Sequence, residues 1–503
     1  MKLLKVFISR IFIFGMLIVL QMIWIVLMTS SVLASYQWLN TALKVLSMAV
    51  VLWLVNKDEN SSYKLSWIIL ILVFPVFGGL LYLMIGNKKP SRRLRHRIQH
   101  VIDDIQDELI MEDEMSDKDE QFKKDGLTYL ADLGFGTYTN TQTKYYALGD
   151  YCYVDLLRDI MNAKHYIFME YFIVARGMMF ETILELLKQK VQEGVEVRFI
   201  YDDVGSLTTV PYRFEKKLEQ AGIQCVVFNP FVPMLSVAMN HRDHRKICVI
   251  DGYIGYSGGF NLADEYINAK MRFGHWKDTG IRIEGNGVWN LTTMFLTTWN
   301  AYKHQDQSYV QYRPTFTPKD TFLNDGYVVA YGDSPLDEER TGENIYLNMI
   351  WQAKHEILIM TPYFIIDETM MKALILARRK GVVVKIITPG VPDKKNIYRV
   401  TRSYYYPLIQ EGIEFYEYKP GFLHAKMVLC DQRIATVGTI NFDYRSLYLH
   451  FECNVLLTQK QTILDISKDF KETLALSEKI DLKYSRRFRG IYEAILRLFA
   501  PLM

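Results

Sequence analysis

One 18-residue pattern occurs twice, and it constrains the fold more than any other feature of the chain. "HRKICVIDGYIGYSGGFN" begins at His244 and "HAKMVLCDQRIATVGTIN" at His424. In both copies lysine follows the histidine at two positions, aspartate at seven, glycine at fourteen and asparagine at seventeen. The copies are offset by 180 residues throughout (424 − 244). Random sequence of ordinary composition gives such a five-residue match roughly once in several million starts, so two in one chain mark a duplication. The flanks echo too: "NAKHYIFMEYFI" from Asn162 against "QAKHEILIMTPYFI" from Gln352, and "EGVEVRFIYDD" against "KGVVVKIITPG".

From about Tyr146, short apolar runs ("YIFMEYFIV", "VEVRFIYDD", "IQCVVFN") alternate with stretches of helical periodicity ("ETILELLKQKVQEG", "EKKLEQAG"). That order predicts an α/β fold, and the echo predicts two related lobes. A chain of 503 residues, 50% hydrophobic, exceeds what one core serves.

Read as a strand, "HAKMVLCD" projects His424, Lys426 and Val428 to one face and Ala425, Met427 and Leu429 to the other. Histidine and lysine then converge, and the glycine of "VGTIN" is read as allowing close backbone approach to a ligand, with Asn441 offering amide donors. An imidazole, a cation and an amide from each lobe suit a phosphate group: His244, Lys246 and Asn261 from one, His424, Lys426 and Asn441 from the other. One imidazole can attack phosphorus while its twin protonates the departing oxygen and later deprotonates the incoming alcohol or water. The residues are symmetric, so either histidine can be the nucleophile. No metal or other cofactor is expected: "HRDH" has a counterpart, "PGFLH", without its first histidine. His165, His241 and His355 read as ordinary core or surface residues.

Five widely spaced cysteines without CxxC or zinc spacing read as reduced, buried thiols. A net charge of +3 implies no general affinity for polyanions.

Ile11 to Ala34 and Leu65 to Gly86 run 24 and 22 residues without a charge, and Trp38 to Val55 carries only Lys44. Since about 20 apolar residues cross a bilayer, two or three membrane helices are expected over residues 1–90. Lys88, Lys89, Arg92, Arg93, Arg95 and Arg97 then mark the cytoplasmic side. The expected localisation is a multi-pass cell-membrane protein with a cytoplasmic catalytic body. The remaining expected boundaries are a basic then acidic linker at 91–130, lobes at 131–315 and 316–480, and a C-terminal amphipathic helix at 481–503. That helix lies either at the lipid interface or against the second lobe.

Both repeats resemble the H-x-K-x4-D motifs of the phospholipase D superfamily, and "NFDYRSLYLHFECNVLL" is similar to the stretch after the family's second motif. The resemblance implies two lobes, each a mixed sheet flanked by helices. It also implies roles for Asp443, Arg445 and Ser446, and for Glu452 as a carboxylate that holds a catalytic imidazole. Asp278 of "HWKDT" takes that part in the first copy, and Asp251 and Asp431 support strands or lysines. Overall layout most resembles the bacterial cardiolipin synthases. They imply phosphatidyl transfer from one phosphatidylglycerol to another through a phosphohistidine, with His244 by analogy the nucleophile and His424 the acid then base. The implied partners are phosphatidylglycerol and cardiolipin in the membrane, without nucleic acid and with an oligomer possible. Hydrolysis by water or transfer to another alcohol is the nearest alternative. A nuclease and a catalytically dead scaffold are more distant: membrane spans argue against the first, and intact His, Lys and Asn in both copies against the second.

Overall fold

The computed structural model describes residues 37–86, 92–109, 125–230, 240–313, 322 and 325–502, with Met16, Val19, Met22 and Ile23. Contacts divide the chain into two compact units. The larger unit, Arg93–Pro230 with Arg242–Gly490, holds both lobes.

In the first lobe, β1 (Thr141–Tyr146), β2 (Tyr166–Tyr171), β3 (Glu196–Asp202), β4 (Gln224–Phe228), β5 (Lys246–Ile250), β6 (Ile254–Gly258) and β8 (Gly280–Gly285) form one sheet. A short β7 (His275–Lys277) stands outside it. The sheet order is β1-β8-β6-β5-β2-β3-β4. The second lobe comprises β9 (Val328–Asp333), β10 (Glu356–Met360), β11 (Val383–Pro389), β12 (Glu414–Tyr418), β13 (Gly421–Leu423), β14 (Met427–Cys430), β15 (Ile434–Gly438), β16 (Glu452–Leu457) and β17 (Ser477–Lys479). Its sheet, read β9-β16-β15-β14-β10-β11-β12-β17, repeats the first order strand for strand and adds β17. β2, β3 and β4 run parallel, as do β10, β11 and β12, while β5 and β14 pair antiparallel to β2 and β10. Parallel neighbours need a crossover, and Met178–Gln192 and Glu368–Arg379 supply it as helices. The expected pair of α/β lobes with mixed sheets is thus present.

Period-two alternation decides which residues join the lobes. Ile247 and Val249 of β5 and Met427 and Leu429 of β14 enter one continuous core with Phe168, Ile281, Met360 and Val437, drawn from both lobes. The other face of β5, Cys248 and Ile250, packs with Phe180, Ile183 and Leu187 of the crossover helix. All five cysteines are buried and free.

At the far end of β5 and β14 the chain turns through Asp251 and Asp431, with φ of 52° and 51°. The Asp251 carboxylate accepts from the backbone N–H groups of Lys164, His165 and Tyr166 at 2.7–2.9 Å. Asp431 accepts from Lys354, His355 and Glu356 at 2.8–2.9 Å. Each aspartate therefore satisfies the unpaired donors where β2 or β10 begins. Each lies five positions beyond its motif lysine, Lys246 or Lys426, roughly 17 Å of extended chain.

The smaller unit contains helices Gln37–Val55, Ser61–Val73, Pro75–Ile85 and Ile491–Phe499. Here the expectation of a multi-pass membrane protein, and with it of a catalytic body assigned to the cytoplasmic side, is overturned: among the described residues no helix is long and apolar enough to cross a membrane. The run from Leu65 to Gly86 breaks at Phe74, because Pro75 has no N–H to continue the ladder. The resulting helices of 13 and 11 residues reach roughly 20 and 17 Å, short of a hydrocarbon layer of roughly 30 Å. Gln37–Val55 carries Thr41, Lys44 and Ser47. All but four residues of the run Ile11 to Ala34 lie outside the described residues. Tyr63, Trp67, Ile71, Leu81 and Tyr82 form this unit's own core. The C-terminal helix buries Leu496, and Ser66 donates to the Leu498 carbonyl at 2.5 Å. Its partner is thus Ser61–Val73.

The turn aspartates give the first prediction. Asp431→Ala removes an acceptor from three N–H groups and should cost about 3 kcal/mol in chemical denaturation at pH 7. Burial pushes the Asp431 carboxyl up, but the three N–H donors outweigh it and hold it below its ordinary value. Its stabilisation is therefore complete above the unfolded pKa of about 3.9 and disappears as pH falls through the lower folded value, so wild type and variant should converge in acid. Equal stability at pH 7 would remove this role.

Candidate active site

The two histidines come together through strand pairing between the lobes. Asp243 bridges Phe451 in parallel, and the His244 N–H donates to the Phe451 carbonyl at 2.9 Å. In the mirrored position β13 pairs with β7, and the His424 N–H donates to the Lys277 carbonyl at 2.6 Å. The residue after Phe451 is Glu452 and the residue after Lys277 is Asp278, so each histidine is delivered beside the other lobe's carboxylate.

Side chains complete the exchange. His244 Nδ1 lies 2.9 and 3.0 Å from the two oxygens of Glu452. His424 Nδ1 lies 2.6 Å from Asp278 Oδ2. A carboxylate accepts only, so each Nδ1 carries the proton and each Nε2 keeps its lone pair for chemistry. Both carboxylates are fully buried. Glu452 also accepts from the Thr439 hydroxyl at 2.5 Å, and that hydroxyl accepts the Cys453 N–H at 2.9 Å. Asp278 accepts instead from the Thr279 N–H at 2.8 Å.

The repeated glycines serve this arrangement rather than a ligand. A Cβ on Gly258 would meet Gly280 and Thr279 backbone at 2.5 and 2.6 Å, and one on Gly438 would meet the Asn454 amide oxygen at 2.1 Å. Gly259 clears Asp278 itself, whose carboxylate a Cβ would meet at 1.9 Å. The close approach inferred for "VGTIN" is thus between strands of the protein.

Lys246 donates to the His244 carbonyl at 2.5 Å. Lys426 donates to the His424 carbonyl and presses against His424 Nδ1 at 2.8 Å. Asn261 accepts from the Ile173 N–H at 3.0 Å and donates to the Tyr266 hydroxyl at 2.6 Å. Asn441 donates to Ser446 at 3.0 Å, and its carbonyl oxygen has no partner among the described residues. Asp443 accepts the Ser446 N–H at 2.9 Å, capping a short helix that includes Arg445. The structure therefore gathers His244, Lys246, His424, Lys426, Asp278 and Glu452, ties Asn261 to Tyr266 at the His424 ring and Asn441 to Ser446, and leaves Asp251 and Asp431 at the distant turns. Sequence reasoning missed Thr439, which stood in the quoted motif without a repeated partner, because Gly259 occupies its position in the first copy. It also missed the rings against the imidazoles: Phe172 and His450 at 5.0 and 5.6 Å from His244, Tyr266 and Trp276 at 5.5 and 5.4 Å from His424.

Burial governs the electrostatics. Desolvation lowers His244 to about 3 against the pull of Glu452, and lowers His424 to about 4, with Lys426 adding to the depression and Asp278 opposing it. Desolvation likewise lowers Lys246 to about 8 and Lys426 to about 7. Burial pushes Glu452 and Asp278 up, but His244 holds Glu452 well below the ordinary range, and Lys426 with His424 hold Asp278 below its ordinary value. Near neutrality the imidazoles are unprotonated and the carboxylates ionised.

A duplicated α/β lobe that joins two His-Lys pairs across a shared core defines the phospholipase D-like class. The family model described as cardiolipin synthase, PLD-like domain matches residues 156–272 and 346–474, once in each lobe. The model described as Phospholipase_D-nuclease N-terminal matches residues 45–87. A cardiolipin synthase of Oceanobacillus iheyensis is 35% identical over 474 residues, covering 90% of this chain and 96% of that protein. One from Alkalihalophilus pseudofirmus is 33% identical over 476 residues, covering 92% of each. Among solved structures, the phosphatidylserine synthase of Haemophilus influenzae matches with a TM-score of 0.54 at 14% identity, covering 72% of this chain and 93% of that one, a likeness of fold. The chain belongs to the cardiolipin synthase family of PLD-like proteins.

The depressed lysines give a prediction about anion binding. As pH rises from 6.5 to 9 the free site loses positive charge, so the Kd for tungstate, a dianion throughout that range, should weaken at least ~10-fold. Lys426→Met should remove about half of this dependence, since Lys246 still titrates in the same range. Isothermal titration checks both, and a pH-independent Kd in the wild type would contradict ammonium groups titrating there.

Proposed function

We propose that the protein transfers a phosphatidyl group from one phosphatidylglycerol to a second, giving cardiolipin and glycerol. Family membership supports the substrate class, phospholipids of the membrane. The crossed pairing of two buried imidazoles with two buried carboxylates carries the mechanism.

In the first step the His244 Nε2 lone pair attacks phosphorus. An N–P bond forms, the P–O bond to the headgroup glycerol breaks, and His424 in its protonated form gives the leaving oxygen its proton. A second phosphatidylglycerol then presents a headgroup hydroxyl. Neutral His424 takes the hydroxyl proton, the oxygen attacks phosphorus, and the N–P bond breaks to restore His244. Glu452 and Asp278 hold each ring in the tautomer the step needs and stabilise the imidazolium when it forms. Lys246 and Lys426 stabilise charge on the phosphoryl oxygens, with Asn261 and Asn441 orienting them. An entering phosphodiester anion offsets the lysine charge that depresses His424 and raises its proton affinity, which is how a group at about 4 in the free site becomes an acid in the complex. The mirrored assignment, with His424 attacking, uses the same atoms.

Incubation of purified protein with phosphatidylglycerol labelled in its headgroup glycerol, followed by mass spectrometry, should give one labelled glycerol per cardiolipin. Phosphatidic acid as the only lipid product would instead mark a hydrolase. His244→Ala and His424→Ala should each reduce turnover at least ~100-fold, and retained activity in either overturns the assigned roles.

A further inference from the structure

The two halves of the site differ at one buried ring. Trp276 stands two residues before Asp278 and lies 5.4 Å from the His424 ring at 49°. His450 stands two residues before Glu452 and lies 5.6 Å from the His244 ring at 43°. The same shelf is thus an indole that cannot titrate in one half and an imidazole in the other.

His450 is 8% exposed, and neither ring nitrogen has a hydrogen-bond partner among the described residues. Its Nδ1 faces Glu452 Oε1 at 3.7 Å, beyond hydrogen-bonding distance. His244, His450 and Glu452 each place an atom within 4.8 Å of the others. The main chain fixes this geometry: the His450 N–H donates to the Arg445 carbonyl at 2.9 Å, and the next residue, Phe451, is pinned to the Arg242 carbonyl at 2.9 Å. The charged and titratable groups facing the ring are Glu452, His244, Arg445 and Asp443, and His244 in turn faces Glu452, Lys246 and His450. Nothing in the proposed reaction uses His450, yet an imidazole without a hydrogen bond is aimed at the carboxylate that orients His244.

We propose that His450 is a positioning residue that acts through Glu452 and makes His244 and His424 chemically unequal. A closure of under an ångström lets His450 Nδ1–H donate to Glu452, which then shares its negative charge between two rings. His244 keeps its orientation but feels a weaker pull on its Nδ1 proton, and its Nε2 stays unprotonated to lower pH. His424 has no second ring competing for its carboxylate, because Trp276 makes no demand on Asp278; the other cation there is Lys426. The inference rests on the reading that both imidazoles work on one phosphodiester, not on the identity of the acceptor.

The test compares His450→Phe, which keeps the ring and loses the donor, with His450→Asn, which keeps an N–H, and uses Trp276→Phe as the control from the other half. Glycerol release from phosphatidylglycerol is followed against pH in the full chain, since it reports transfer and hydrolysis alike. 15N-histidine NMR follows the His244 titration independently of any turnover. His450→Phe should lower kcat ~10-fold or more with KM within about twofold, move the acid limb of kcat/KM to higher pH, and raise the His244 midpoint. The sign comes from undivided pull: Glu452, serving one ring, holds the His244 proton more tightly. His450→Asn should recover most of kcat, and Trp276→Phe should leave the acid limb and the His244 midpoint in place. A wild-type pH profile and His244 midpoint in His450→Phe, or equal damage from Phe and Asn, would overturn the proposal. Absence of glycerol release from the wild type alongside a His244 midpoint shifted by His450→Phe would count against the assigned substrate and for the positioning role.

Discussion

Everything in the larger unit depends on the exchange of carboxylates between lobes. Glu452 belongs to the second lobe and holds His244 of the first; Asp278 belongs to the first and holds His424 of the second. Neither carboxylate touches solvent. Separating the lobes would leave two buried charges without their partners, and breaking a buried pair typically costs 3–5 kcal/mol for each. The strand pairing that delivers the histidines, the shared core on the inner faces of β5 and β14, and the glycines that let Asp278 and Asn454 approach neighbouring backbone all maintain this exchange. A single lobe folded alone would carry a histidine without its orienting acid and an acid without its histidine, so duplication here supplies reciprocal halves of one site.

Much of this was legible in the residues. Repetition at a fixed offset of 180 predicts two lobes of one topology, and the lobes repeat strand order. Alternation along "HAKMVLCD" correctly separates Lys426 from Met427 and Leu429, which enter the core. Spacing could not show which histidine each acid serves, because the pairing arises from β13 meeting β7 and Asp243 meeting Phe451, contacts between segments more than a hundred residues apart. The motif aspartates, read as supports for strands or lysines, hold the backbone where β2 and β10 begin, since five extended positions carry them away from the motif lysines. Glycine misled: sequence shows that a side chain is missing but not what takes its space, and here that is Asp278 and backbone. The apolar run through Leu65 to Gly86 failed as a span because hydropathy averages over Pro75, which interrupts the helix whatever surrounds it.

The charge balance explains why a symmetric arrangement can run an asymmetric reaction. With both imidazoles neutral and both lysines protonated, Lys246 and Lys426 balance Asp278 and Glu452, and these six side chains carry no formal net charge. A phosphodiester brings one negative charge into a desolvated space, where an unbalanced charge is costly. The least costly compensation is one proton, and the two imidazoles offer sites for it while each Nδ1–H remains fixed on its carboxylate. One proton shared between two rings leaves one Nε2 basic and the other acidic, the combination a displacement at phosphorus requires. A symmetric pair would leave the choice of ring to chance. Unequal neighbours remove that degeneracy: Thr439 supports Glu452 where Gly259 supports nothing, and an imidazole shelves His244 where an indole shelves His424. In the proposed reaction the lobes supply opposite roles because the residues around two equal histidines are themselves unequal.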